Sequence, residues 1–141
     1  MTYWVKFIYD RETYVVDLER IGAFCQSPNG KLTFWLPTSR NPVVIHPRSN
    51  AEAYQKVLDY LKKTTQYSLD AYWVKIHYER EEYDIDLNRI SSFSCSPGSR
   101  KISFYLPDSG MQIIIHPQSN PEDYRKVIEY VHKTTGFHLD G

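Results

Sequence analysis

The chain has 141 residues, with seventeen Lys and Arg against seventeen Asp and Glu, a formal net charge of zero and a pI near 7. A balanced molecule has no overall field to draw in nucleic acid or an anionic membrane, so on charge alone nucleic acid is an unpromising partner. No apolar run reaches the length of a membrane span, and Met1-Thr2-Tyr3-Trp4-Val5-Lys6-Phe7 lacks a secretory layout, so the expected compartment is the cytoplasm.

The sequence is a tandem duplication. Residues 3–28 match 72–97 at a constant offset, one residue is inserted near Gly98-Ser99-Arg100, and residues 31–70 match 101–140, with about half of the aligned positions identical. The repeats take residues 1–70 and 71–141. A repeat of about 70 residues buries only about 60% of the surface its unfolded chain exposes, so the two are expected to pack as one compact body. No Gly/Ser linker separates them between Thr65 and Trp73.

In chain order, Tyr3, Val5, Phe7 and Tyr9 alternate with polar and mixed residues, and Tyr14, Val16 and Leu18 do the same, which predicts a hairpin with one apolar face. Residues 72–87 repeat it. Placing both apolar sets on one face pairs Tyr9 with Tyr14 and Phe7 with Val16, and on the other face Ile8 with Val15. The second copy then sets His77 opposite Asp84 and Lys75 opposite Asp86. Next come a strand from Ile21 to Cys25, a type I turn at Ser27-Pro28-Asn29-Gly30, and a strand from Lys31 to Leu36 that Pro37 stops. Val43-Val44-Ile45 and Ile113-Ile114-Ile115 are apolar at consecutive positions, the pattern of strands covered on both faces.

A helix follows in each repeat. Ser49 and Ser119 sit three residues before Glu52 and Glu122, the spacing of a capping box, although Asn50 and Asn120 compete for the cap. Tyr54, Val57, Leu58 and Leu61, and in the second copy Tyr124, Val127, Ile128 and Val131, form an apolar stripe opposite a face of paired Glu and Lys. The expected fold is therefore α+β, a tandem duplication of a β-β-β-β-β-α unit. Each repeat is an antiparallel meander sheet with one helix, and a pseudo-two-fold relates the repeats.

Chemistry is sparse. His46 and His116 stand beside a helix start in both repeats, where they and Ser49 and Ser119 could hold an anion, and where the histidines could act as bases or share a metal. A metal needs three or four ligands and a base needs a substrate pocket, so the blander reading is that each finishes a strand. No metal site and no cofactor is expected. Cys25 and Cys95 have no CxxC neighbour and read as free thiols, and no phosphate-loop, nucleophile-elbow or zincin pattern occurs.

The aromatics suggest an interface. Trp4, Ile8, Val15 and Trp35 fall on the back of the first sheet, and Trp73 and Tyr105 on the back of the second, where His77 and Asp84 replace the aliphatics. Two tryptophans and two branched aliphatics would be an association liability if exposed, so the back of repeat 1 is expected to be covered and that of repeat 2 more open. The sequence-level reading is a non-enzymatic interaction or regulatory module, self-associating through this apolar-aromatic face with a protein partner or as a homo-oligomer. Two alternatives are nucleic-acid or small-ligand binding on the aromatic face, and an enzyme or metal site built on His46 and His116.

Overall fold

A computed structural model describes residues 2–67 and 71–140, so the stretch 68–70 within the expected tight join lies outside the described residues. Repeat 1 runs β1 (Trp4–Tyr9), β2 (Glu12–Asp17), β3 (Ala23–Gln26), β4 (Leu32–Trp35), β5 (Pro42–Ile45) and α1 (Ala51–Tyr67). Repeat 2 runs β6 (Trp73–Tyr78), β7 (Glu81–Asp86), β8 (Ser94–Cys95), β9 (Ile102–Tyr105), β10 (Gln112–Ile115) and α2 (Pro121–Thr135). The fold is the expected α+β duplication with antiparallel strands and one helix per repeat.

The hairpins keep the expected faces in a register shifted by two residues. Phe7 pairs with Tyr14 and Val5 with Val16, and in the second copy Lys75 pairs with Asp84 and His77 with Glu82. The reason is a tighter tip than expected. Asp10 and Arg11 have φ of 51° and 66°, and Glu79 and Arg80 have 50° and 67°, so each tip is a two-residue turn with both residues left-handed. Such a turn matches the twist of its strands, which a wider loop does not.

The capping box does not form. Ser49 and Ser119 are exposed, α2 starts at Pro121, and Asn120 makes no side-chain cap bond. The asparagine amides serve the hairpins instead. Asn50 Nδ2 donates to the Ile8 carbonyl at 3.2 Å and Asn120 Nδ2 to the His77 carbonyl at 3.0 Å, fastening each helix start to a strand.

Two cores result. Val5, Phe7, Phe24, Phe34, Val43, Val57 and Leu61 belong to one, and Ile76, Tyr83, Ile85, Phe104, Ile113, Val127 and Val131 to the other. Strand β3 serves both. Phe24 enters the first core while Ala23 and Cys25, on its other face, enter the second, and all three are at most 2% exposed. This follows from the sheet order β5-β4-β3-β7-β6, in which the third strand of repeat 1 pairs with the second strand of repeat 2.

The contacts between repeats run one way. Both halves share one topology, but among the described residues β3 pairs with β7 and β8 does not pair with β2, the equivalent contact that a two-fold would require. Strand β2 bonds only β1, and β8 only β9. Each therefore keeps an open edge.

Candidate functional site

Six connections gather at one end of the molecule. The tips Asp10-Arg11 and Glu79-Arg80, the turns at residues 27–31 and 96–101, and the loops from β5 and β10 into the helices all lie there. The asparagine bonds described above hold the loops against the hairpins. Tyr54 and Tyr124 donate their hydroxyls to the carbonyls of Gly30 and Arg100, and Ser27 Oγ donates to Glu81 Oε1 at 2.9 Å.

Left-handed backbone at this end falls on Asp10, Arg11, Glu79, Arg80 and Arg100, and Arg40 shares it at the other end. Arg11, Arg80 and Arg100 are left-handed, and Arg100, with φ of 63°, takes the place that Gly30 fills in the shorter turn of repeat 1. A side chain in that conformation costs roughly 1–2 kcal/mol relative to the right-handed one, which glycine or asparagine would largely avoid. All three side chains are exposed, as is Arg48 in the loop before α1. The result is a set of guanidinium groups projecting from short, rigid turns beside two helix starts.

Repeat 2 carries an ionic network next to this end. Lys75 Nζ lies 2.6 Å from Glu82 Oε1 and 3.6 Å from Asp84 Oδ1. Burial works to lower the Lys75 pKa, but the hydrogen bond to Glu82 and the charge of Asp84 hold it above its ordinary value. Burial raises Asp84, and Lys75 only partly offsets that. Asp123 is 2% exposed and accepts the His77 N–H at 2.7 Å, the Asn120 amide at 2.8 Å and Lys126 Nζ at 3.2 Å. Burial opposes its charge, yet these donors keep its carboxyl below the usual range. In repeat 1 the matching residues are Ile8 and Ala53, so the buried carboxylate is particular to repeat 2.

Within the chain, repeat 2 does not cover the back of repeat 1. Asp84 is 4% exposed because β3 lies against it, whereas Val15, its equivalent, is 59% exposed. Trp4 is 59% and Ile8 62% exposed, while Trp73 packs on Phe24 at 6.1 Å between ring centroids. Trp35 is partly covered by the second core, and its counterpart Tyr105 is 58% exposed. Trp35 and Trp73 are thus contacts between repeats, and Trp4, Ile8, Val15 and Tyr105 face solvent.

His46 and His116 are exposed at the ends of β5 and β10, and their carbonyls accept the amides of Asn50 and Asn120. Each stands on its own loop with Ser49 or Ser119. Among the described residues no group of three or more His, Cys, Asp and Glu is placed to hold a metal ion. Cys25 and Cys95 are free. Burial, and then a hydrogen bond from its Sγ to Glu81 Oε2 at 3.0 Å, pushes the Cys25 thiol up to about 12. No helix among the described residues is long and apolar enough to cross a membrane.

No family model and no curated protein matches the sequence. A solved structure of a LytTr DNA-binding domain from Bacillus cereus is similar at a TM-score of 0.47 and 14% identity, over 88% of this chain and 94% of that one. Two expectations are corrected here: that the chain is a self-associating protein-interaction module or homo-oligomer, and that nucleic acid is an unpromising partner. The similar structure is titled a DNA-binding domain. Net charge sums over the whole surface and is blind to where the arginines sit, so it does not by itself decide the partner.

The Arg-bearing tips, Gly22 and Asp123 escaped the sequence reading. The signal for the tips was present: two residues between alternating runs, Asp10-Arg11 and Glu79-Arg80, repeat in both copies.

Proposed function

We propose that the chain is a nucleic-acid-binding module whose contact surface is the end that carries the tight turns. The observation that carries this reading is that Arg11, Arg80 and Arg100 are all exposed and left-handed on turns at that one end. Guanidinium groups bind phosphate in a bidentate fork, and a helix start without a side-chain cap leaves backbone N–H groups for the same anion. Arg48 before α1 and Lys101 beside Arg100 extend the basic set. An aromatic platform is the weaker mode, since Trp35 and Trp73 are partly covered and Trp4 and Tyr105 belong to different repeats. In this reading repeats 1–70 and 71–141 act as one body in the cytoplasm, where free thiols persist.

The test is fluorescence anisotropy with a labelled 20-base-pair duplex and the matching single strand between 50 and 200 mM salt. Binding should weaken steeply with salt, and Arg11→Glu with Arg80→Glu should flatten the log–log slope by about 2. Arg40→Glu, at the opposite end, should leave it unchanged. Absence of binding at 50 mM salt, or equal loss in all variants, would overturn the reading.

A further inference from the structure

Repeat 1 has an open groove lined by Trp4, Tyr14, Val15, Arg20, Leu36 and Pro37, with a volume of about 500 Å³. The same place on repeat 2 is filled. There Ile21 to Gln26 runs along β7, with Asp86 N–H donating to the Gly22 carbonyl at 3.0 Å and Trp73 packed on Phe24. Arg89 closes it by donating to the carbonyls of Arg20 at 2.8 Å and of Glu19 at 2.6 Å. Residue by residue, Trp4, Tyr14, Val15, Arg20 and Pro37 are the counterparts of Trp73, Tyr83, Asp84, Arg89 and Pro107. Arg20 is 80% exposed where Arg89 is 37%, so the first repeat holds the same receptor with nothing in it.

We propose that this groove binds an extended peptide strand in the manner in which β7 binds β3, as β-augmentation at the free edge of β2. The chemistry of the occupant can be read from β3. Its segment Gly22-Ala23-Phe24-Cys25 gives the order glycine, small, aromatic, small. In repeat 2 a Cβ at Gly22 would stand 2.7 Å from Arg89 Cδ and 2.9 Å from Pro107 Cβ, and their counterparts Arg20 and Pro37 line the groove, so glycine is the residue expected there. An aromatic ring two residues on reaches Trp4. A second copy is a poorer occupant, because its own free strand reads Ser91-Ser92-Phe93-Ser94 and puts Ser91 where β3 is preceded by the closely packed Gly22. The ligand is therefore a segment of another polypeptide.

The test uses the full chain and, as probe, a fluorescein-labelled peptide with the sequence of residues 20–28, Arg-Ile-Gly-Ala-Phe-Cys-Gln-Ser-Pro. It should bind saturably, and the peptide carrying Gly22→Ser should bind about tenfold more weakly or worse. Trp4→Ala in the protein should abolish binding, since Trp4 is exposed and its loss leaves both cores intact. Binding that survives Trp4→Ala would mean that the peptide displaces β3 from repeat 2, and would overturn the proposal. So would equal binding of the Gly and Ser peptides, or the absence of saturable peptide binding whatever oligomeric state light scattering shows.

Discussion

Asp84 is buried beside its strand partner Phe24, while Val15, at the same place in repeat 1, has β1 on one side and no strand among the described residues on the other, and is 59% exposed. The duplication is thus symmetric in its strands and asymmetric in its junction. A charged residue is covered and an aliphatic one is bare. At the junction Gly22 allows close approach, since a Cβ there would lie 2.7 Å from Arg89 Cδ and 2.9 Å from Pro107 Cβ, whereas its counterpart in repeat 2 is Ser91.

Gly22 is the first point at which to break the junction. Gly22→Ser forces a side chain against Arg89 and Pro107 and should cost about 1–3 kcal/mol in urea unfolding, the usual range for overpacking. The converse change Ser91→Gly, on an exposed edge, should stay within about 0.5 kcal/mol.

Asp123 should make stability depend on pH. Its folded pKa is lowered, so its contribution is present above the ordinary carboxylate value and is lost as pH falls through the folded value. Asp123→Asn should cost about 1–3 kcal/mol at pH 7 by weakening the bonds to His77, Asn120 and Lys126, and that cost should shrink steadily below pH about 4. Asp84 has the opposite sign. Its raised pKa means that its folded form binds more protons, so between the ordinary and the raised value it lowers stability as pH rises.

Thiol titration separates the two cysteines. Cys95 is partly exposed, whereas Cys25 is 2% exposed with its pKa pushed up to about 12. In native protein one thiol should react quickly with a disulfide reagent and the second only after denaturation. Cys95→Ser should remove the fast phase.

Much of this fold was legible in local patterns. Alternation gave the hairpins, consecutive aliphatics gave β5 and β10, and the stripe through Val57 and Leu61 gave the helices. The register was missed by two residues because alternation fixes a face but not a turn length, and Asp10-Arg11 does not advertise a turn that usually holds asparagine and glycine. The cap was missed because Asn50 and Asn120 are drawn to carbonyls of β1 and β6, more than forty positions away in the chain. Which repeat covers which was illegible for the same reason: it depends on pairing of β3 with β7 over some sixty residues. The contrast of Gly22-Ala23-Phe24-Cys25 with Ser91-Ser92-Phe93-Ser94 was the available signal, since it marks one strand as buried on both faces and its copy as an edge.

The central claim, that the turn end meets nucleic acid, is tested most directly by a ¹H–¹⁵N NMR titration of the chain with an unlabelled DNA duplex. The account predicts shifts concentrated in residues 9–12, 78–81 and 97–101 and in the first turn of each helix, with the groove residues Val15, Leu36 and Ser39 unmoved. Shifts confined to that groove or to the helix C-terminal ends, or none at low salt, would contradict it.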